Sequence, residues 1–126
     1  MKRGLWIGIL AAVMIAFLIC EQIYVDTTIN TLTEKAKELQ TVITGTDKPR
    51  SLELITDLEK FWKAQEPILS SILDHNEIED IAKQIVYVKS YIEADDLEGA
   101  LIECNVLVHR AKAGALIFNF DFQNIL

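Results

Sequence analysis

The chain has 126 residues, of which 51% are hydrophobic and 25% charged, and this length allows one domain. Nineteen acidic residues against twelve basic ones give a net charge of −7. An acidic chain without a basic stripe argues against nucleic acid and against anionic lipid headgroups as partners. Two cysteines, Cys20 and Cys104, are too few for a disulfide-stapled scaffold.

Residues 4–20 form an unbroken apolar run that predicts a membrane-spanning helix. As a helix they measure about 26 Å, at the short end of what crosses the roughly 30 Å hydrocarbon core of a bilayer. Trp6 and Tyr24 bracket the run, as interfacial aromatic anchors do. The alternatives are a cleaved signal peptide and a lipoprotein modified at Cys20, but bulky residues such as Ile19 stand where both processing enzymes need small ones. An uncleaved anchor in the lipid bilayer is the preferred interpretation.

Basic residues near the span predict its orientation. Lys2 and Arg3 precede the apolar run, and no basic residue follows until well into the next helical pattern. Basic flanks are retained in the cytoplasm. The amino terminus is therefore expected on the cytoplasmic side of the cytoplasmic membrane, and the part of the chain after the span is expected on the outer side. We therefore expect residues 1–3 to form a cytoplasmic stub, residues 4–25 the transmembrane anchor, and residues 26–126 an extracytoplasmic helical domain.

Small residues recur at every fourth position of the span and share one helix face: Gly4, Gly8, Ala12 and Ala16. Such a face lets two helix backbones approach closely, and packing drives helix association in lipid. It predicts a homodimer or a partner membrane protein. The alternative is that Gly and Ala are simply common in membrane helices.

After the span, the chain shows four amphipathic helical patterns. The first covers residues 26–44, with Gly45 expected at its carboxyl-terminal cap. The second is expected to begin at Ser51 as its N-cap. Pro67 lies inside this second helix and predicts a kink or a break near Glu66.

The third helix has the cleanest periodicity in the chain. Asn76 is the expected N-cap of a capping box completed by Glu79. Apolar residues at spacings of three and four then predict one buried face: Ile78, Ile81, Ile85, Val88 and Ile92.

Residues 95–98 repeat the capping-box pattern and predict a fourth helix, which Gly114 is expected to end. Beyond it, Phe118, Phe120 and Phe122 alternate with polar residues, which predicts an extended tail along the bundle groove. The predicted fold is all-α: an amino-terminal transmembrane helix, then a small antiparallel four-helix bundle or helical array, then this extended carboxyl-terminal tail.

Several short segments of the chain together resemble a known family. These segments are Glu21 after the span, Trp62, residues 72–78, residues 91–93 with Asp95 and Asp96, Ala100 and Leu101, and residues 124–126. The family that they resemble is the domain-of-unknown-function family 4363. The resemblance spans nearly the whole chain, and the loop at residues 45–50 departs from it. It implies a small, single-span, membrane-anchored helical protein of spore-forming Gram-positive bacteria, and it implies no catalytic residues.

The sequence offers little catalytic chemistry. His75 with Asp74 and Glu77 could form a loose metal site, but a helix-capping turn explains the same residues. Cys104 occupies an inward helical position and is expected to be a buried small hydrophobe. We therefore expect no enzyme, no cofactor and no metal.

Phe61 and Trp62 are adjacent, so both cannot face one core. One of the two is expected to contact the tail, Pro67 or solvent, and an exposed aromatic would mark a partner surface. The candidate partner surface is Phe61, Trp62, His75 and Glu77. The sequence thus predicts a membrane-anchored helical accessory protein acting with another membrane protein. The alternative is an extracytoplasmic helical module that binds a small molecule or peptide.

Overall fold

The structure, a computed structural model, describes the backbone of residues 2–125 and the side chains of residues 2–114. These residues form four helices: α1 (Lys2–Thr44), α2 (Lys48–Leu69), α3 (His75–Glu93) and α4 (Leu97–Ile125). No strand occurs in this part of the chain. The all-α architecture predicted from the sequence is confirmed.

The helices form an antiparallel bundle because short loops join them in succession. Each helix packs against its neighbours in the chain, and α4 closes the ring against α1. The five predicted inward residues of α3 are all buried, which confirms its periodicity. Among the largest fully buried side chains are Leu32, Leu39, Ile55, Leu58, Trp62, Leu69, Ile85, Ile92 and Leu107.

Helix α1 is continuous through the junction between the apolar run and the amphipathic segment. Its 43 residues span about 65 Å. Buried positions begin at Val25 and recur at bundle-facing sites up to Ile43, whereas the preceding residues are exposed or half-buried. Within residues 2–125, α1 is the helix long and apolar enough to cross a membrane, and none of its most apolar window is buried. A signal sequence would meet the same criteria of length and composition.

Two predicted N-caps are wrong by a few residues. Asp47 caps α2 and accepts a hydrogen bond from the Arg50 amide at 3.1 Å, whereas Ser51 is fully buried inside the helix. Asp74 caps α3, and its carboxylate accepts from the Asn76 amide at 3.1 Å. In both cases a nearby aspartate, whose charge the helix dipole favours, occupies the cap.

The two distal loops, residues 45–47 and 94–96, end their helices in the same way. Thr46 and Asp95 adopt left-handed φ angles of 59° and 63°. The amide after each donates back to the carbonyl five residues earlier, which is the Schellman pattern. Gly45, the predicted left-handed cap, precedes the residue that takes this conformation, and it has no positive φ. The Lys48 ammonium lies 2.6 Å from the Asp95 carboxylate and joins the two loops.

Two helices continue past residues at which the sequence predicts an interruption: the predicted break near Glu66 does not occur, and Gly114 does not end α4. Helix α2 continues through Pro67 to Leu69, because a proline this near the end removes only one backbone bond of the last turn. Helix α4 passes through Gly114 and continues to Ile125, so the predicted extended tail is helical. An isolated extended segment has no strand to satisfy its backbone groups, whereas a helix satisfies them locally. The side chains of Phe118, Phe120 and Phe122 lie outside the described residues.

The left-handed conformation of Thr46 makes a stability prediction. Thr46→Gly removes the steric cost that a β-branched residue bears at positive φ and is expected to raise the free energy of unfolding by about 1 kcal/mol. Chemical denaturation of the detergent-solubilised chain measures this change. The control, Ala64→Gly at an exposed helical site, should lower stability by about 1 kcal/mol. A loss of stability in Thr46→Gly would contradict the assigned conformation.

Candidate functional site

A small cavity opens near the end of the bundle that lies closest to the apolar half of α1. We call this the proximal end; it comprises the α2–α3 loop, residues 70–74, and the adjoining helix termini. The cavity has a volume of about 160 Å³, similar to engineered cavities that hold benzene. All four helices and the α2–α3 loop contribute to its lining: Ile29, Trp62, Leu73, Glu77, Ile78, Asp80, Ile81, Arg110, Ala113 and Gly114.

The charged members of the lining come from α3 and α4. The Arg110 guanidinium lies 3.9 Å from the Asp80 carboxylate, and both side chains are about half exposed. Glu77, in the first turn of α3, is half-buried. Because most of the remaining lining is apolar, the cavity suits one hydrophobic group, with polar contacts available at Arg110 and Asp80.

The structure separates the two adjacent aromatic residues. Trp62 is 1% exposed, and its indole Nε1 donates to the Ile78 carbonyl at 3.3 Å. Phe61 is half-buried, and the Lys35 ammonium lies 5.6 Å from its ring centroid. Trp62 therefore belongs to the core and cannot form part of an exposed partner surface, which corrects that part of the sequence prediction.

Glu77 lines the cavity together with Trp62, whereas His75 lies outside that lining. His75 is exposed, and its Nε2 lies 2.9 Å from the Glu79 carboxylate one helical turn away. It lines a depression of about 350 Å³ between α2 and α3, to which Lys63 and Glu66 also contribute. Among the described residues, no cluster of three His, Cys, Asp or Glu side chains is placed to hold a metal ion.

Cys104 is fully buried where α4 packs on α1. Its Sγ donates to the Ala36 carbonyl at 3.3 Å. Desolvation by burial raises the pKa of the thiol to about 12, so it stays protonated at neutral pH. A protonated, enclosed thiol is a poor nucleophile. The expectation that Cys104 acts as a small hydrophobe is confirmed.

The small-residue face of α1 is open. Gly4, Gly8, Ala12 and Ala16 are all exposed. A Cβ atom built at Gly4 or Gly8 would meet no other atom within 4 Å. The face is therefore free to accept another helix, and no described segment of this chain covers either glycine.

Two polar contacts were missed by the sequence analysis. Gln84 is 2% exposed, and its Nε2 donates to the backbone carbonyl and the carboxylate of Glu103, at 2.8 and 2.6 Å. Gln84 lies three residues after Ile81 on the inward face of α3, and this spacing could have indicated its burial. Tyr24 donates to Gln65 Oε1 at 2.5 Å and ties α1 to α2, which no local pattern could reveal.

Comparison with known proteins identifies a family and leaves the chemistry open. No curated protein and no solved structure matches the chain significantly. Residues 19–125 match the family described as a domain of unknown function (DUF4363). The match starts at the end of the apolar run and includes the bundle and the helical extension of α4. The chain belongs to the DUF4363 family.

Proposed function

We propose that this protein is a single-pass membrane protein whose helical bundle serves as an accessory to another membrane protein. The observation that carries the proposal is the exposed apolar half of α1. Eleven large hydrophobic residues between Leu5 and Ile23 are 45% to 67% exposed. Soluble monomers rarely expose a continuous apolar surface of this extent, so lipid or another membrane helix is its natural surrounding.

The orientation follows from charge. Lys2 and Arg3 precede the span, and the bundle after it carries an acidic excess. Basic flanks favour the cytoplasmic side, which supports an amino terminus inside and a bundle outside. The proposal assigns no catalytic role, in line with the protonated thiol of Cys104 and the helix-capping environment of His75.

The anchor is tested by the mass and topology of the mature protein. Intact-mass analysis of the protein from its native membranes should give a polypeptide that retains residues 4–20. Two separate fusions to the carboxyl terminus report the topology. A phosphatase that is active only outside the cytoplasm should be active, and a reporter that is active only in the cytosol should be inactive. A mature chain that begins after Phe17 would overturn the anchor and indicate a signal sequence. Activity of the cytosolic reporter alone would overturn the orientation.

The open small-residue face provides the test of partnership. Gly8→Leu and Ala12→Leu should obstruct close helix approach, while Leu10→Ile and Met14→Leu alter other positions of the span and serve as controls. Crosslinking in native membranes should join this chain to a second copy or to another membrane protein. The yield of this product should fall about tenfold in the first two variants, which corresponds to a loss of roughly 1.4 kcal/mol in the free energy of association. Unchanged crosslinking in both would remove this face from the proposal.

The cavity supports a second candidate, a module that binds a small apolar group. Its volume of about 160 Å³ accommodates one aromatic ring or one apolar peptide side chain. Ala113→Phe should fill the cavity, whereas Ala64→Phe adds the same bulk at an exposed site of α2 outside the lining. Native mass spectrometry of the full chain should show a ligand adduct in the wild type and in Ala64→Phe, and none in Ala113→Phe. Equal adducts in all three chains would locate any ligand elsewhere.

A further inference from the structure

The bundle begins within two turns of the apolar run. Val25 is fully buried and follows Cys20 by five residues, about 7.5 Å along α1. On the side of α1 that leads to Val25, three residues are already half-buried: Leu18, Glu21 and Gln22. Partial burial therefore extends into the apolar run at Leu18, and no spacer separates the run from the bundle.

Helix α2 brings the α2–α3 loop to the height of the end of the apolar run. The hydrogen bond from Tyr24 to Gln65 sets these residues side by side. Helix α2 runs antiparallel to α1 and continues for four residues to Leu69, about 6 Å further toward the amino terminus of α1. The last turn of α2 thus lies level with Cys20.

The surface at this height is apolar or uncharged on the side of α2, whereas the exposed Asp74 and His75 lie at the start of α3. Ile68 is 50% exposed at the end of α2, next to the exposed Pro67. Ser70 and Ser71 follow, also exposed, and their hydroxyls donate to carbonyls of the last turn. An exposed isoleucine costs little where it can enter the boundary between headgroups and acyl chains.

Helix α4 descends to the same height. Cys104 contacts Ala36, and sixteen further residues along each helix bring residue 120 level with residue 20, about 24 Å away along both axes. The sequence of residues 115–125 is apolar at seven of eleven positions and holds three of the five phenylalanines in the chain. Aromatic residues are enriched at membrane interfaces.

We propose that the proximal end of the bundle rests in the headgroup region of the bilayer, with Ile68 as a lipid contact and the helical backbone of residues 115–125 at the same height. The proposal rests on the membrane anchor proposed above. The bilayer is the partner because α1 already fixes it at this height. The contact is apolar rather than ionic, since acidic residues exceed basic ones in the bundle.

Site-directed spin labelling of the full chain in phosphatidylcholine vesicles tests this placement. Single labels are introduced by Ile68→Cys, by Val13→Cys in the span and by Glu98→Cys at the distal end, in a Cys20→Ser background. The Cys20→Ser chain without a further substitution measures any signal from label attached to Cys104. Circular dichroism verifies the helical fold of each variant. The measured quantity is label accessibility to oxygen relative to a water-soluble nickel chelate. The ratio at Ile68 should exceed that at Glu98 severalfold and stay below that at Val13.

The outcomes separate this proposal from the anchor. A lipid-like ratio at Val13 with equal ratios at Ile68 and Glu98 would overturn the surface contact and leave the anchor intact. A water-like ratio at Val13 would overturn both. Poor access of both reagents to Ile68 would show that protein covers this surface, which also overturns lipid contact. Ser71→Cys, in the same loop, repeats the test at a second exposed site and should give the same ranking.

Discussion

The unbroken helix α1 is the constraint on which the rest of the structure depends, since its first half is apolar and exposed and its second half packs in the bundle. Full burial of a large apolar side chain contributes about 1.5–3 kcal/mol, so the eleven residues of its first half, each 45% to 67% exposed, represent roughly 10–20 kcal/mol. This is at least comparable with the roughly 5–15 kcal/mol that typically holds a domain folded. Whatever surrounds that half therefore determines where the bundle is held, and the continuous backbone passes that position on to the bundle.

The bundle is built on α1 by close packing and a few directional contacts. Small residues such as Ala36 and Cys104 are fully buried where α1 meets α4 and let the two helices approach. Buried Gln84 donates hydrogen bonds to the backbone carbonyl and the carboxylate of Glu103. A shift of α3 along α4 by one helical turn would leave Gln84 without these acceptors. The exposed ion pairs contribute less, because solvent screens them. Packing thus supplies most of the stability, and the buried amide specifies the register.

Features that depend on local periodicity, such as the buried face of a helix, could be predicted from the sequence. Features for which two nearby residues are equally suitable, such as a helix cap, could not. The buried face of α3 followed from spacing alone. Its cap did not, because Asp74 and Asn76 both suit an N-cap and only the folded backbone distinguishes them. The choice of Trp62 over Phe61 for the core depends on the Ile78 carbonyl, sixteen residues away. The alternation at residues 118–122 predicted an extended segment, but such a segment needs a partner strand for its backbone hydrogen bonds, and the described chain supplies none.

Several features able to interact lie at one end of the molecule. The cavity, the exposed His75 and the exposed Ile68 all lie at the proximal end, whereas the distal loops offer capped helix ends and one ion pair. On the proposed topology, the open face of Gly8 lies in lipid directly below these features. A partner that contacts both the span and the bundle must then itself be a membrane protein. An acidic bundle on a continuous helix would resist lying flat against anionic lipid, so it would stand upright and leave its flanks open to such a partner.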